Sequence, residues 1–190
     1  MEIISCRLDG VKLVRPPTIH EDFRGSYVEL YNRELYRKHG IEIEFVQDDI
    51  SVSSKNVLRG IHGDGRTWKL VSCLMGRFYL VVVNWDPAHP QHGQWESFTL
   101  SDANRLQALI PPRFGNGHLV LSDFCIFHYK QSAYYDRESQ FTLAWNDPAL
   151  GIWWPIRDPI TSERDKGISG PGMNGNPPTP PDRIARTRKR

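Results

Sequence analysis

The residues from Val57 to Gly76 read V-L-R-G-I-H-G-D-G-R-T-W-K-L-V-S-C-L-M-G. Two apolar runs, separated by a short loop of glycine and polar residues, predict two strands. Alternation along the first strand would put Arg59 and His62 on opposite faces. Lys69 lies at the start of the second strand. The titratable imidazole of His62 therefore lies close in sequence to two cations, Arg59 and Lys69. Such a group suits an anionic substrate and the transfer of a proton.

The rest of the chain repeats this pattern of short apolar or alternating runs, bounded by turn residues that include Gly115–Gly117. The predicted strands are Glu44–Ser53, Val57–His62, Trp68–Leu74, Arg77–Trp85, Gln94–Leu100, Gln107–Ile110, His118–Leu121, Phe124–Lys130 and Gln140–Trp145. Strands at intervals of about 8–12 residues predict an all-β fold, an antiparallel β-sandwich or barrel. A few short helices are expected, one capped by Asn32 and one within residues 158–165.

The length of 190 residues is enough for one domain with a sizeable core, which we assign to residues 1–167. The formal net charge of +2 is concentrated in residues 168–190, which hold five basic residues against one acidic residue. Their Gly- and Pro-rich composition predicts a disordered or loosely packed tail. The rest of the chain has no basic excess, so we expect no nucleic-acid partner.

The cysteines indicate the cellular compartment. Cys6, Cys73 and Cys125 occur singly, without a C-x-x-C motif, which predicts reduced and buried thiols in a cytoplasmic protein. The chain does not begin with a signal-peptide pattern, and no apolar run approaches the roughly 18 residues of a membrane span. We therefore expect a soluble cytoplasmic protein without a membrane partner.

Several kinds of chemistry lack their sequence signatures. The seven histidines form no H-x-H or H-x₃-H pair, which argues against a metal site. Nucleophile motifs and phosphate-binding glycine loops are absent. A lone histidine or tyrosine is more often a packing residue. His62 is nevertheless a candidate general base, Asp165 could fix its tautomer, and Tyr129 lies on a strand that could face it.

Seven ordered motifs resemble the nucleotide-sugar 3,5-epimerase family, over roughly residues 8–167. They are D-F-R-G-S-Y-V-E (22–29), F-V-Q-D-D-x-S-x-S-S-K-N-V-L-R-G-I-H (45–62), K-L-V-x-C-x-x-G (69–76), Q-H-G-Q-W (91–95), P-P-R-F-G-N-G-H-L-V-L-S (111–122), Y-K-x-S-x-Y-Y (129–135), and W-N-D-P-A-L-G-I-x-W-P with S-E-R-D (145–165). The resemblance implies a cupin-like jelly roll.

The resemblance also implies roles for individual residues. The catalytic base falls on His62, its paired aspartate on Asp165, the acid on Tyr129 and the lysine near the enolate on Lys69. The implied substrate-binding residues are Arg24, Tyr27, Glu29, Gln47, Arg59, Asn116 and Tyr135. Members of the family work as homodimers with an exchanged strand, so Arg24 and Tyr27 can serve the partner's site. Neither a metal nor an organic cofactor is implied.

The resemblance predicts an epimerase that inverts C3, C5 or both in a 4-keto-6-deoxy sugar linked to dTDP or GDP, in bacterial polysaccharide sugar biosynthesis. Rhamnose-type members carry an aromatic residue and a glutamine where this chain has Gly63 and Asp64, and a histidine where it has Asn116. These variants look more like GDP-4-keto-heptose epimerases of capsule synthesis, so the nucleotide and the inverted carbons stay open. A 3,4-ketoisomerase and a non-catalytic sugar-binding protein are the alternatives.

Overall fold

The computed structural model describes residues 1–166 of the chain, apart from the side chains of Thr18 and Ile19. In this part the elements are β1 (Glu2–Ser5), β2 (Lys12–Arg15), β3 (Thr18–Asp22), β4 (Gly25–Val28), α1 (Arg33–Lys38), β5 (Gln47–Ser54), β6 (Leu58–Gly63), β7 (Lys69–Met75), β8 (Arg77–Asn84), β9 (Trp95–Ser101), β10 (Gln107–Ile110), β11 (Phe114–Val120), β12 (Phe124–Gln131) and β13 (Phe141–Thr142). The predicted tail, residues 168–190, lies outside the described range. No helix within residues 1–166 is long and apolar enough to cross a membrane.

Most strands belong to one of two antiparallel sheets. The first sheet has six strands in the order β1-β2-β10-β7-β12-β5, and the second has five in the order β13-β6-β11-β8-β9. Strands β3 and β4 form a separate hairpin. The chain passes repeatedly from one sheet to the other, and the two sheets pack face to face, which is the arrangement of a jelly roll. The predicted all-β, cupin-like fold is confirmed.

The main core lies between the two sheets. Strand β8 supplies Phe78, Leu80 and Val82 to it, and these pack with Val71 of β7 and Phe127 of β12. All five side chains are at most 5% exposed. Since side chains alternate along a strand, the remaining residues of β8 must be buried on the other side of the second sheet.

The C-terminal part of the domain provides that second layer. Tyr79, Val81 and Val83 of β8 pack there with Leu143 and Trp154. Strand β8 is therefore buried on both faces, which explains why it reads as a continuous apolar run rather than an alternating one. This packing also holds the C-terminal part of the chain against the sheet that contains His62.

Helix α1 covers part of the outer face of the first sheet. Its Tyr36 packs with Leu70 and Leu109. As the sequence predicts, Asn32 is the N-cap, and its side chain accepts a hydrogen bond from the backbone N–H of Leu35 at 3.1 Å. Residues 158–165 do not form the second predicted helix: Ile160 forms a β-bridge with Val57, and a turn follows at residues 163–166. The described residues therefore contain one helix and not a few.

The predicted turn at Gly115–Gly117 is wrong, because these residues lie inside β11. The small residues are needed for close packing and not for a turn. A Cβ atom on Gly115 would lie 2.7 Å from Cγ2 of Ile61, and one on Gly117 would lie 3.1 Å from Cγ1 of the same residue. The predicted strand Gln140–Trp145 is also shorter, since β13 contains only Phe141 and Thr142, and Leu143 continues the backbone hydrogen bonding to Ile61 of β6.

Candidate active site

Arg59 and His62 lie on the same face of β6, and the predicted opposite placement is wrong. His118 of β11 pairs with Arg59, whereas Asn116 pairs with His62, so two steps along β11 match three steps along β6. This β-bulge interrupts the alternation of side chains. It falls at Gly60, which has a φ of +109°, a conformation that favours glycine.

The bulge also explains why Gly60 cannot carry a side chain. A Cβ atom there would lie 2.6 Å from the backbone oxygen of Asn116 and 2.7 Å from Cα of Gly117. Ile61 consequently packs with Leu58 in the outer apolar cluster. The inner face is left to the polar side chains on either side of the bulge.

His62 forms a close pair with Asp165. Its Nε2 lies 2.6 Å from Oδ1 of Asp165, whose side chain is 3% exposed. The segment that carries Asp165 runs beside β6, since the backbone N–H of Leu58 donates to the carbonyl of Ile160 at 2.9 Å. Asp165 ends a turn in which its own N–H donates to the carbonyl of Ser162 at 3.0 Å.

The electrostatics keep Asp165 charged. Burial on its own raises the pKa of the carboxyl group, but hydrogen bonds from His62, Ser162 and the backbone of Gly60 outweigh it, so the pKa lies below its usual value. A carboxylate opposite Nε2 requires the imidazole proton on that nitrogen. Nδ1 is then the basic nitrogen of the neutral ring, and the carboxylate stabilises the imidazolium that forms when Nδ1 takes up a proton.

Lys69 reaches the same space from the first sheet. Its side chain is 6% exposed, and Nζ donates to Oδ1 of Asn116 at 3.3 Å. Burial lowers the pKa of this lysine, Asp64 partly opposes the effect, and Arg164 adds to it. The site therefore contains a poorly solvated cation beside the histidine strand.

Arg59 also connects the two sheets. Its Nε donates to Oγ of Ser53 on β5 at 2.9 Å. With the contact between Lys69 and Asn116, this bond brings the inner face of β6 and β11 against that of β5 and β7. The predicted residues His62, Asp165, Lys69, Asn116 and Arg59 are thus assembled at one site.

Tyr129 stands on the inner face of β12, opposite Asp49 of β5. Burial raises the pKa of Tyr129 to about 12, and the charge of Asp49, the neighbouring Tyr135 and a hydrogen-bonding interaction with Asp49 act in the same direction. Gln131 Nε2 and Gln47 Nε2 each donate to Oδ2 of Asp49 at 2.7 Å.

Gln47 joins this group to Tyr135, because its Oε1 accepts a hydrogen bond from the backbone N–H of Tyr135 at 2.8 Å. Sequence reasoning missed Asp49 and Gln131. The signal was present, since Gln47, Asp49 and Ser51 are polar at every second position of a strand. An inward-facing polar row on a predicted strand indicates a site rather than a core.

His118 is a further missed residue. It is 3% exposed, and its ring is stacked on Phe127 with centroids 4.0 Å apart. Burial first, and then the electrostatic effects of Arg59 and His62, lower the pKa of His118 to about 3, although Asp165 partly opposes them. His118 is therefore a neutral wall of the site rather than a second base.

Three predicted binding residues, Arg24, Tyr27 and Glu29, belong to the β3–β4 hairpin or directly follow it. Arg24, at the tip of the β3–β4 hairpin, pairs with Asp22 at 2.6 Å, and Tyr27 is 66% exposed. Within residues 1–166, no hydrogen bond or ion pair links Arg24, Tyr27 or Glu29 to His62. Ser26 of the hairpin accepts a bond from Arg105 at 2.6 Å, just before β10 begins.

The contact of Ser26 with Arg105 places the hairpin near the start of β10. Strand β10 runs antiparallel to β7, with Gln107 opposite Ser72 and Ile110 opposite Lys69. The start of β10, next to Arg105, is therefore the end of the sheet away from Lys69.

The fold and the site together define the class as a cupin-like protein whose inner face carries a histidine–aspartate pair, a lysine and a tyrosine, side chains that can move protons. Of residues 1–166, no group of three or more His, Cys, Asp and Glu side chains is arranged to hold a metal ion. The chain belongs to the dTDP-4-dehydrorhamnose 3,5-epimerase family, whose model matches residues 5–170. The predicted class, a nucleotide-sugar 3,5-epimerase, is thereby confirmed.

Individual relatives agree with this assignment. The dTDP-4-dehydrorhamnose 3,5-epimerase of Salmonella typhimurium is 39% identical over 170 residues, covering 87% of this chain and 92% of the relative. A Legionella pneumophila epimerase solved with dTDP-4-keto-L-rhamnose has a TM-score of 0.82 and 37% identity, over 87% of this chain and 90% of that chain. A 3'-monoepimerase from Streptomyces bikiniensis, solved with dTDP-quinovose, has a TM-score of 0.80 and 27% identity, over 85% and 84% of the two chains.

Proposed function

We propose that the protein inverts C3, C5 or both in a 4-keto-6-deoxy sugar linked to a nucleoside diphosphate. The observation that carries this proposal is the pair of His62 and the buried, charged Asp165, with Lys69 and Tyr129 on the inner face of the opposite sheet. This arrangement supplies a base, a cation and an acid around one space, as the removal and return of a proton beside a ketone require.

The first step is the removal of a proton. The C4 ketone acidifies the hydrogens on C3 and C5, and Nδ1 of His62 takes one of them. The electrons of the broken C–H bond move to the C4 oxygen, which gives an enolate. Asp165 stabilises the imidazolium that forms, because its carboxylate accepts the hydrogen bond from Nε2.

Lys69 is the group best suited to meet the enolate oxygen. Burial disfavours its ammonium form, and its Nζ donates to a neutral amide, that of Asn116. A developing negative charge would therefore be stabilised more strongly here than in water. The cation acts most on the transition state, where the charge appears, and less on the neutral ketone.

The second step is the return of a proton from the other face of the carbon. The hydroxyl of Tyr129 donates it, the electrons of the enolate reform the ketone, and the configuration is inverted. His62 then loses its proton to solvent and Tyr129 regains one. The strongly held proton of Tyr129 supports a role as acid rather than as base.

The substrate is proposed from chemistry and from relatives together. Arg59, on the same face as His62, is suited to the diphosphate because a guanidinium binds phosphate oxygens in a bidentate manner. Thymidine is the better supported nucleoside, because the relatives described above are named for dTDP sugars or were solved with them. Guanosine remains the alternative, and a cytoplasmic location stays a prediction.

We also propose that the protein is a homodimer in which Arg24 and Tyr27 serve the partner's site. In support, the hairpin that bears them projects from the end of the sheet away from Lys69 and carries Phe23, which is 99% exposed. The outer face of β5, β7 and β12 exposes further apolar side chains: Ile50, Val52, Leu74, Met75 and Phe124. Exposed apolar groups that share a sheet face indicate a contact between proteins.

Incubation in D₂O with dTDP- and GDP-linked 4-keto-6-deoxy hexoses and heptoses tests the activity. We expect deuterium at C3, at C5 or at both, with inverted configuration, observed by NMR. His62→Asn should lose both exchange and inversion. Tyr129→Phe should lose the inversion, because its His62 can still remove a proton and return a deuteron to the same face of the carbon. A ketone that moves from C4 to C3 would identify a 3,4-ketoisomerase, and absence of exchange with every substrate would reject the epimerase proposal.

A further inference from the structure

We propose that Asp49 is a positioning residue that keeps Tyr129 in its protonated form before the reaction and fixes the position of its phenol group. This role depends on the proposed function of Tyr129 and extends it to a residue that does not itself contact the reacting carbons. The inference starts from the geometry of β5 and β12, where Tyr129 and Asp49 are directly opposite each other. Side chains of an opposite pair share one face, here the inner one.

The carboxylate of Asp49 is held in place from both sides. Gln47, two residues earlier on β5, and Gln131, two residues later than Tyr129 on β12, each donate to Oδ2 at 2.7 Å. Gln131 is itself buried, at 1% exposed. Two fixed donors on one oxygen restrict rotation of the carboxylate and leave Oδ1 free of them, so the group presents a fixed acceptor to the phenol beside it.

The charges around Tyr129 come from several elements. Asp49 lies on β5, Lys69 is opposite Gln131 on β7, and Tyr135 follows β12. Arg59, His62 and His118 line the facing sheet. Of these groups, Asp49 and Tyr135 act on the pKa of Tyr129, and both raise it in the same sense as burial.

Asp49 and Asp165 lie on opposite walls of the site, and each is next to one side chain that carries a proton. A phenolate beside the carboxylate of Asp49 would place two negative charges together, so the phenol retains its proton. On the other wall, the carboxylate of Asp165 accepts the hydrogen bond from Nε2 of His62. Each carboxylate thus lies against a proton-carrying side chain of the site.

The test is the titration of Tyr129 followed through tyrosine labelled with ¹³C at Cζ, with the resonance assigned by Tyr129→Phe. In the wild-type protein we expect ionisation well above the value of about 10 of free tyrosine. Asp49→Asn removes the charge and keeps an acceptor for the two glutamines, so the titration should move down by about one pH unit. Asp49→Ser removes the same charge together with most of the side chain, and it should also lower the pH at which Tyr129 titrates.

Asp48→Asn is the matched control. Asp48 is the adjacent carboxylate on the outer face of β5, where it pairs with Lys130 at 2.8 Å and His128 at 3.1 Å. Its removal should leave the titration of Tyr129 unchanged. The inference is overturned if wild-type Tyr129 ionises like free tyrosine, if neither Asp49 variant shifts it, or if the control shifts it equally.

Kinetics provide the second readout. With Asp49→Asn, the alkaline limb of the kcat profile should move to lower pH by about one unit, as the titration does, while KM changes little. Asp49→Ser should lower kcat by about tenfold, because the phenol loses its oriented acceptor. The NMR titration requires no substrate, so it decides the role of Asp49 even if no nucleotide sugar proves to be epimerised.

Discussion

Nε2 of His62 lies 2.6 Å from Oδ1 of Asp165, although the two residues are 103 positions apart in the chain. The pair forms because residues near Ile160 run along β6 and end in a tight turn at Ser162. A contact between a histidine and a buried carboxylate is sensitive to mutation at either residue, and this makes the site open to direct tests.

Replacement of Asp165 by Asn should lower activity strongly while the protein stays folded. The amide can still contact the imidazole, but it no longer stabilises the imidazolium or requires the proton on Nε2. We expect kcat to fall by about 10²–10⁴-fold, the usual contribution of general acid–base catalysis. The measurement is the rate of solvent deuterium exchange, and a variant as active as the wild type would contradict the assignment.

The same aspartate should contribute to the pH dependence of stability. Its folded pKa lies below the unfolded value of 3.8, so the contribution is present above that pH and is lost as the pH falls through the folded pKa. The stabilisation of wild type relative to Asp165→Asn should therefore shrink below about pH 4. Urea titrations at several pH values measure it; a constant difference down to pH 2 would contradict this prediction.

Lys69→Met should separate activity from stability. A buried ammonium whose pKa is lowered by burial costs folding energy at neutral pH, and an apolar side chain of similar length removes this cost. We expect the unfolding free energy to rise by about 1–2 kcal/mol while kcat falls by about 10²–10³-fold. Calorimetry and exchange kinetics measure the two effects, and a less stable variant would show that Lys69 has a structural role.

Gly60→Ala should disturb both the fold and the site. The added Cβ meets backbone atoms of β11 at 2.6 and 2.7 Å, and the φ of +109° disfavours any side chain. We expect a loss of at least about 2 kcal/mol in unfolding free energy. Gly65→Ala is the matched control, because no atom lies within 4 Å of the added Cβ, and its effect should stay within about 0.5 kcal/mol.

Mixing of inactive subunits tests the proposed role of the hairpin. If Arg24 serves the partner's site, neither Arg24→Ala nor His62→Asn is active alone, but a mixed dimer contains one site with both native residues. Random reassembly should restore about a quarter of the wild-type activity per subunit, since half of the dimers are mixed. Mixtures without recovered activity, or an Arg24→Ala variant with full activity, would exclude this arrangement.

Much of the fold follows from local pattern. The alternating and apolar runs predict most strands to within a few residues, and Asn32 marks the start of α1. The errors arise where glycine has a packing role. Gly115 and Gly117 suggest a turn by composition, but they lie within β11 because Ile61 approaches them too closely for a Cβ. The turn propensity of a glycine does not show which residue of a neighbouring strand will pack against it.

The site, like the fold, follows only in part from the sequence. The sequence by itself determined the all-β class, the candidate base His62 and, through the ordered motifs, the family and the residues Asp165, Lys69 and Tyr129. Only the tertiary structure decided that a bulge brings Arg59 to the face of His62, that Asp49 stands against Tyr129, and that Arg24 lies away from its own site. The physical reason is that register, bulges and cross-strand partners depend on contacts between distant segments, whereas strand propensity and motif spacing are properties of the local chain.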